Sequence, residues 1–371
     1  MRVCHKRHTR ISFSQLSLFS VWSLQFISHF SPSTLPTFGI SHIFNYIRDM
    51  EVTETSNSSS VEVKGRFAPS PSGRMHLGNV FAALISWLSA KKQGGKWVLR
   101  IEDLDPQRSK YEYARLIEDD LHWLGLDWDE GGLDDTGPNP PYSQSRSHHI
   151  YEEALSKLEA TGLTYPCFCT RADIMATQAP HESDGRVVYS GTCRPARLGG
   201  TLIAPPDDKT ERATRILVPD ETIRFTDRLY GPQAVNLRDH CGDFILRRAD
   251  GAWAYQLAVV ADDARMGITE VVRGSDLLLS SAQQIYLYRL LGRQAPEFAH
   301  VPLLCNDAGQ RLSKRDRSMS MEELRLSSSP QEVTGFLAHL AGMLPEPMPI
   351  SPQGMLPLFS WSTVPKKLKI I

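Results

Sequence analysis

The chain has 371 residues, 41% hydrophobic and 22% charged, which suits a folded protein of one or two domains and excludes a low-complexity or collagen-like chain. No run of 18 apolar residues occurs, so we expect no membrane span and no membrane partner. The formal net charge of −1 is uneven: residues 1–49 hold five basic residues and one acid, and the remainder is net −5. A nucleic-acid partner would therefore have to meet a local basic patch.

Residues 1–48 contain no Asp or Glu and are rich in Ser, a composition typical of an organellar presequence. We favour a misassigned start, with Met50 as the natural first residue, over a targeting segment. We treat residues 1–60 as an N-terminal extension outside the fold. The expected location is the cytoplasm, with organellar import as the alternative if residues 1–49 are genuine.

A tight turn links a predicted strand at 61–67 to a helix whose apolar face begins at Val80. Residues 68–79 of this turn hold two prolines and two glycines. Such a turn directs backbone N–H groups and a helix N-terminus at one point, which suits a polyphosphate. The spacing matches neither the dinucleotide-binding nor the P-loop pattern. His76 at the helix entrance could donate to a phosphate, or it could simply cap the helix.

A second predicted strand, 96–101, ends in three acids: Glu102, Asp103 and Asp105. Carboxylates at a strand end either meet a cation or form a solvated turn that caps the next helix. Helices are predicted at 111–124 and 150–161.

Three of the six cysteines are clustered, which favours a metal site in a reducing compartment over a disulfide framework. Cys167, Cys169 and Cys193 are suitable thiolate ligands for a structural Zn²⁺. His181 is a chemically ordinary fourth ligand, and free buried cysteines are the alternative. Short strands at 215–218 and 223–227 are expected to complete this insertion.

The second half of the chain returns to strand and helix patterns. Residues 243–260 predict a strand, a turn at 250–251, and then a helix or a buried strand. A further strand ends at Arg273, and an amphipathic helix covers 276–292. The basic segment 311–315 contains Lys314, which could close over a triphosphate, although a solvated basic loop is the alternative.

These motifs resemble those of class I aminoacyl-tRNA synthetases in their glutamyl form. Residues 66–71 read Arg-Phe-Ala-Pro-Ser-Pro, and 76–79 read His-Leu-Gly-Asn, with Asn79 in place of the usual final His. Residues 100–105 reproduce Arg-Ile-Glu-Asp-x-Asp, 243–274 give the longest match, and 311–315 resemble the Lys-Met-Ser-Lys-Ser signature. The resemblance implies an α/β fold with a Rossmann-like parallel-sheet nucleotide-binding domain.

The resemblance also implies roles for individual residues. Glutamate would be bound by Arg66, Phe67, Ala68, Pro69, Ser70, Glu102, Tyr255 and Arg273, with Glu102 on the amino group. ATP would be bound by His76, Gly78 and Lys314, of which His76 and Lys314 would be catalytic. Two arginines facing one small substrate favour a dicarboxylate, glutamate, over glutamine. A small glutamyl-like subgroup carries Cys-x-Cys followed by Tyr-x-x-x-Cys. Resemblance to this subgroup implies that Tyr189 is the fourth Zn²⁺ ligand.

The resulting plan places the first half of the nucleotide fold at 61–165, a zinc-bearing insertion at 166–240, the second half at 241–320, and a short helical tail at 321–371. No room remains for an anticodon-binding domain. The resemblance is therefore closest to a short branch of the family that activates glutamate with ATP and Mg²⁺, without tRNA. This branch then transfers glutamate to the queuosine base at the wobble position of tRNA(Asp). We expect a monomer.

Two alternatives stay open. A fragment of an ordinary glutamyl-tRNA synthetase would charge tRNA(Glu). A catalytically dead paralogue would act as a binding module.

Overall fold

The computed structural model describes residues 62–176, 188–201, 211–305 and 320–369, which all lie within one compact unit, Thr55–Ile371. The N-terminal extension, His181 and Lys314 lie outside the described residues. Within the described part, no helix is both long enough and apolar enough to cross a bilayer.

The described elements alternate between strands and helices. The strands are β1 (Lys64–Phe67), β2 (Lys96–Leu99), β3 (Glu130–Gly131), β4 (Thr164–Cys167), β5 (Ala213–Ile216), β6 (Thr222–Asp227), β7 (Gly231–Asn236), β8 (Phe244–Arg247), β9 (Glu270–Gly274), β10 (Glu297–Val301), β11 (Leu304–Cys305) and β12 (Leu368–Lys369). The helices are α1 (Leu77–Lys92), α2 (Tyr111–Leu124), α3 (His148–Ala160), α4 (Arg171–Ala176), α5 (Leu237–His240), α6 (Tyr255–Met266), α7 (Ser280–Leu290), α8 (Met321–Ser327), α9 (Pro330–Leu340) and α10 (Pro352–Met355).

A seven-stranded sheet forms the centre, in the order β3-β2-β1-β9-β10-β6-β7. All neighbouring pairs are parallel except β6 and β7. Arg66 pairs with Val98, and Arg273 pairs with His300. Because parallel strands end at a common edge, the residues that follow β1, β2, β9 and β10 are brought together. The predicted parallel-sheet fold class is confirmed.

Helix α1 packs against the middle of this sheet. Eleven of its sixteen residues are buried, which explains why its apolar pattern is broad. Helix α2 spans the predicted range and ends at Gly125, whose φ of 76° is the left-handed C-cap conformation that glycine adopts without strain. Residues 255–266 form a helix, which resolves the choice between helix and buried strand.

A separate three-stranded antiparallel sheet has the order β4-β5-β8. The sequence predicts that residues 223–227 complete the insertion, but here the prediction is wrong. Strand β6 pairs with β10 of the central sheet, where Phe298 is the partner of Asp227, and β7 forms the antiparallel edge. A short alternating strand carries no mark of which sheet it will join, because the pairing is decided by residues far along the chain.

The tail closes over the same core as α1 and α2. Val333, Leu337 and Met355 are buried in the main hydrophobic cluster. Ser320 pairs with His76, and the Met321 amide donates to the Met75 carbonyl over 2.9 Å. The tail therefore contacts the turn that precedes α1.

Candidate active site

One cavity of about 490 Å³ lies at the carboxyl edge of the central sheet. Its lining includes ten of the residues that the sequence assigns to substrates: Arg66, Phe67, Ala68, Pro69, Ser70, His76, Gly78, Glu102, Tyr255 and Arg273. Lys314 is the eleventh such residue and lies outside the described part of the chain. Strands β1 and β9, the turn before α1 and the start of α6 thus contribute to a single site.

The turn before α1 is held by a reciprocal cap. His76 is the N-cap residue, and its Nδ1 accepts from the Gly78 amide over 3.2 Å. The Asn79 side chain accepts from the His76 amide over 3.3 Å and so completes a capping box. With Nδ1 used as an acceptor, the neutral imidazole carries its proton on Nε2 as a donor. Capping and phosphate binding are therefore compatible roles for His76.

Gly78 allows this arrangement because it lacks a side chain. A Cβ at this position would lie 3.1 Å from Cε1 and 3.2 Å from Nδ1 of His76, closer than ordinary contacts allow. A larger residue would therefore displace the imidazole ring from its cap.

A buried carboxylate ties the same turn to the tail. Asp120 on α2 is fully buried and receives two hydrogen bonds from Arg74, at 2.8 and 3.0 Å. Arg325 on α8 donates to the same carboxylate over 2.9 Å and stacks over the ring of Trp123. The sequence analysis missed Asp120, because it lies in an ordinary acidic run of an amphipathic helix.

Arg100 is the centre of a buried ionic network beneath the cavity. It is fully buried, pairs closely with Asp263, and lies 3.1 Å from Glu102 and 3.9 Å from Asp262. Burial by itself would raise the pKa of Asp263, but the guanidinium groups of Arg100 and Arg66 lower it below its usual value. The Asp263 carboxylate is therefore charged, and its ion pairs fix the floor of the site.

Arg66 and Glu102 lie between this network and the cavity. The Nε of Arg66 is 3.5 Å from Asp263, and Nη1 donates weakly to the Val272 carbonyl at 3.5 Å. Burial raises the pKa of Glu102, while Arg100 and Arg66 partly oppose that shift. Glu102 therefore takes up a proton at a higher pH than an exposed glutamate does.

Arg273 differs from the other two arginines in its partners. It is 6% exposed, and within the described residues no carboxylate lies within ion-pair distance of it. Its donors meet neutral groups: the His300 ring, the Gln284 amide oxygen, the Ser281 hydroxyl and the Leu277 carbonyl. Burial lowers the pKa of Arg273 without making it a titrating group at neutral pH. A buried cation with only neutral partners is well suited to bind an anionic ligand.

Tyr255, the first residue of α6, completes the wall. Burial raises the pKa of its phenol, with Arg273 and Arg66 opposing the shift, so the hydroxyl keeps its proton. The cavity thus combines the guanidinium groups of Arg66 and Arg273, the Glu102 carboxylate and the Tyr255 phenol next to a helix N-terminus, and Arg74 and Asp276 also line it.

The cysteine cluster lies in and beside the small sheet. The three thiol sulfurs of Cys167, Cys169 and Cys193 lie within 4.8 Å of one another. The Tyr189 hydroxyl is 3.5 Å from the Cys167 sulfur and 3.9 Å from the Cys169 sulfur. A tetrahedral Zn²⁺ with bonds of about 2.3 Å requires sulfurs about 3.8 Å apart, so this spacing fits the ion.

The chemistry of the donors also suits a cation. Burial and the neighbouring thiols raise the pKa of Cys169 to about 12, so it would not be a thiolate at neutral pH without help. The Tyr189 hydroxyl accepts from the Cys193 amide over 2.7 Å, and the guanidinium of Arg215 lies 3.8 Å from the Tyr189 ring centroid. Three thiols and one phenol oxygen are thus assembled, and they could hold a metal.

Comparison with known proteins matches most of the chain. The family model described as tRNA synthetases class I (E and Q), catalytic domain, covers residues 62–365. The Glutamyl-Q tRNA(Asp) synthetases of Symbiobacterium thermophilum and Nitratidesulfovibrio vulgaris are 47% and 46% identical over 307 residues, which is 82% of this chain and 94% of each relative.

Solved structures give the same picture of the fold. A glutamate tRNA ligase from Elizabethkingia meningosepticum, in complex with its amino acid, is 31% identical with a TM-score of 0.70. The match covers 82% of this chain and 66% of that one, so the chain spans about two thirds of the solved relative. A glutamate-tRNA synthetase from Elizabethkingia anophelis is 30% identical, with a TM-score of 0.71.

Proposed function

The chain belongs to the glutamyl and glutaminyl class I tRNA synthetase family, among the Glutamyl-Q tRNA(Asp) synthetases, and we propose that it glutamylates tRNA(Asp). In the first step it activates L-glutamate with ATP, without tRNA. In the second step it transfers glutamate to the queuosine base at the wobble position. The names of the relatives, at 43–47% identity, support this reading over that of an ordinary synthetase fragment.

The observation that carries the proposal is the unequal pairing of the cavity's arginines. Arg66 lies 3.5 Å from Asp263, whereas Arg273 has no described carboxylate partner. A substrate with a side-chain carboxylate would supply the missing negative charge beside Arg273. Glu102, when ionised, would receive the substrate ammonium group. An amino acid with two carboxylates fits this charge pattern, and glutamate is such an amino acid.

Activation requires little covalent chemistry from the protein. An α-carboxylate oxygen of glutamate attacks the α-phosphorus of ATP, the bond from that phosphorus to the bridging oxygen breaks, and pyrophosphate leaves. ATP would bring Mg²⁺ on its phosphates as part of the substrate. The N-terminus of α1 and the Nε2–H of His76 would donate to phosphate oxygens, and Lys314 would add a positive charge.

Transfer uses the mixed anhydride formed in the first step. A ring hydroxyl of queuosine attacks the glutamyl carbonyl carbon, an ester forms, and AMP leaves with the oxygen that bridged carbon and phosphorus. The hydroxyl proton leaves to a base or to water. Positioning of the two reactants dominates this step, so no dedicated protein nucleophile is required.

Within this proposal, Cys167, Cys169, Tyr189 and Cys193 would hold one structural Zn²⁺. Bound zinc would stabilise the thiolate forms and cross-link the small sheet to the segment around Tyr189. The metal would have no part in either chemical step.

The test is glutamate-dependent exchange between ATP and pyrophosphate on residues 50–371, with and without tRNA. We expect exchange without tRNA, and transfer of labelled glutamate to queuosine-containing tRNA(Asp) but not to tRNA(Asp) lacking queuosine. Exchange that appears only with tRNA(Glu) would favour an ordinary synthetase fragment. No exchange under any of these conditions would favour a catalytically dead paralogue.

A further inference from the structure

Three buried side chains form a continuous line that ends at the cavity. Asp227, at the end of β6, lies with its Oδ2 2.7 Å from Nδ1 of His300 on β10. The Nε2 of the same imidazole lies 3.1 Å from the Nε of Arg273 on β9. Asp227 is 1% exposed and His300 is fully buried, so solvent does not compete for these contacts.

The donors along this line have a fixed direction. The Nε of an arginine always carries a proton, so Nε2 of His300 must accept from Arg273. Oδ1 of Asp227 accepts two backbone N–H groups, from Leu229 over 3.0 Å and from Tyr230 over 2.8 Å. Oδ2 is then the acceptor for His300, which must carry its proton on Nδ1. Asp227 therefore selects the tautomer that can receive Arg273.

The tautomer of His300 determines which partners surround the charge of Arg273. Four of its five N–H groups have neutral partners: His300, Gln284, Ser281 and the Leu277 carbonyl. One N–H on Nη1 has no partner among the described residues and remains for a ligand. Asp227 is separated from Arg273 by the width of the imidazole ring, and the carboxylates of Asp263 and Glu102 act on Arg273 electrostatically without an ion-pair contact. Among the described residues, the guanidinium is thus held in place without a counter-ion in contact with it.

We propose that Asp227 and His300 are positioning residues that hold Arg273 as a cation with no described carboxylate in contact, and so make the site select glutamate over glutamine. The inference rests on the proposed function and assigns its specificity to these two residues. A carboxylate in direct contact with Arg273 would neutralise the guanidinium. The site would then bind the uncharged side-chain amide of glutamine as well as the side-chain carboxylate of glutamate. A neutral imidazole orients the guanidinium without that effect. Burial and the positive charge of Arg273 lower the pKa of His300, which keeps the ring neutral.

The alternative is a purely structural role, because His300 also stacks on Phe298 with a centroid distance of 6.4 Å. A structural role predicts lost stability and an equal effect on all substrates. A positioning role predicts a selective rise in the KM for glutamate.

The first experiment uses Asp227→Asn in the full chain. The asparagine oxygen would take the two backbone N–H groups, so its amide NH₂ would face His300. The ring would then carry its proton on Nε2, opposite the Nε–H of Arg273. We expect the KM for glutamate in pyrophosphate exchange to rise about 10- to 100-fold, the size of a lost hydrogen bond to a charged group, while the KM for ATP changes less than about twofold.

Two further readouts distinguish positioning from packing. The ratio of kcat/KM for glutamate over glutamine should fall at least about tenfold. Nitrogen-15 chemical shifts should show the His300 proton moving from Nδ1 to Nε2. Asp220→Asn is the matched control, because Asp220 is an exposed carboxylate that pairs with Arg238. It should leave all three readouts unchanged.

Two variants of His300 test the same proposal independently, in case Asp227→Asn does not fold. His300→Gln puts an amide oxygen near the position of Nε2, and His300→Asn puts an amide group near Nδ1 only. We expect the glutamine variant to keep a glutamate KM within a few-fold of the parent, and the asparagine variant to lose about tenfold or more. Equal KM values in the two variants, or an unchanged preference for glutamate over glutamine in Asp227→Asn, would overturn the proposal. Absence of exchange in the parent protein would instead refute the proposed function.

Discussion

The substrate cavity and the cysteine cluster both bury reactive polar groups, but these groups are stabilised differently in the two regions. Beneath the cavity, Arg100 is surrounded by Asp263, Glu102 and Asp262, so the chain supplies both signs of charge. In the cluster, three thiols and the Tyr189 hydroxyl converge, and the raised pKa of Cys169 means that this thiol needs a cation to become a thiolate at neutral pH. The first region is organised by the fold alone, whereas the second is expected to depend on a metal.

The cavity itself repeats this contrast on a smaller scale. Arg100 is in direct contact with carboxylates, whereas the described hydrogen-bond partners of Arg273 are neutral. A buried arginine with carboxylate partners stabilises structure, and one without them is available to a ligand. Partner identity, more than burial, therefore separates a structural cation from a binding cation.

The strongest test of this contrast compares Arg100→Met with Arg273→Met. Loss of Arg100 leaves three buried carboxylates with only the more distant pairings of Arg66 to Asp263 and of Arg265 to Asp262, so the free energy of unfolding should fall by about 3–5 kcal/mol. Loss of Arg273 removes a buried cation without a described ion-pair partner but leaves its buried acceptors unpaired, so the free energy of unfolding should fall by about 1–3 kcal/mol, less than in Arg100→Met, while kcat/KM for glutamate falls at least about 100-fold. Urea unfolding and pyrophosphate exchange measure the two effects. Equal destabilisation by both variants would contradict the distinction.

A second test asks whether the charges of the cavity suffice without the basic loop. Lys314→Ala should slow adenylate formation about 100-fold by removing a charge that would stabilise the phosphates, with little change in the KM for glutamate. Lys157→Ala, which removes an exposed lysine paired with Glu153, is the control. An unchanged rate in single-turnover measurements would remove Lys314 from the mechanism.

The cysteine cluster is tested by Cys193→Ser. Bound zinc should fall from about one per chain to near zero, because one of the three thiol ligands is lost. Thermal unfolding should move to lower temperature, and glutamate-dependent exchange should fall only a few-fold, since the cluster does not line the cavity. Cys241→Ser, a cysteine outside the cluster, should retain the metal. Stoichiometric zinc in Cys193→Ser would refute the proposed ligand set.

The smallest expected effect concerns pH. Since the pKa of Glu102 is raised, its carboxylate is protonated as pH falls, at a higher pH than an exposed glutamate would be. The charge that receives the substrate ammonium group is then lost. The KM for glutamate should therefore rise a few-fold on the acid side of neutrality. Glu102→Gln should bind glutamate more weakly at every pH, and its KM for glutamate should no longer rise as the pH falls. If the rise persists in this variant, a group other than Glu102 is responsible for it.

Much of the cavity could be predicted from the sequence, because its residues lie in short local motifs. The turn at 66–79 places Arg66 and His76 within one strand-to-helix unit, and Arg273 ends a predicted strand in the block 243–274 that resembles the synthetase family. The residues that support these groups could not be found in the same way. Asp120, Asp227 and His300 come from different elements, and each looks locally like an ordinary polar residue.

The sequence pattern also could not predict which strands join the central sheet and which join the small sheet. Strand β6 reads like a strand of the insertion but pairs with β10, some seventy residues later in the chain. Strand propensity gives the existence of an element, whereas its neighbours are set by tertiary packing. The same separation in sequence hides the link between Asp227 and Arg273.

The order of the central sheet also has a consequence for synthesis on the ribosome. Strand β1 lies between β2 and β9, and the hydrogen bond between Lys64 and Thr269 spans 205 residues. At about 5–20 residues per second, one edge of β1 waits about 10–40 seconds for its partner. An open strand edge is a site of unwanted association during that time. The nascent chain would therefore be a natural client for chaperones that shield such edges, and slow elongation between β2 and β9 should lower the yield of soluble protein.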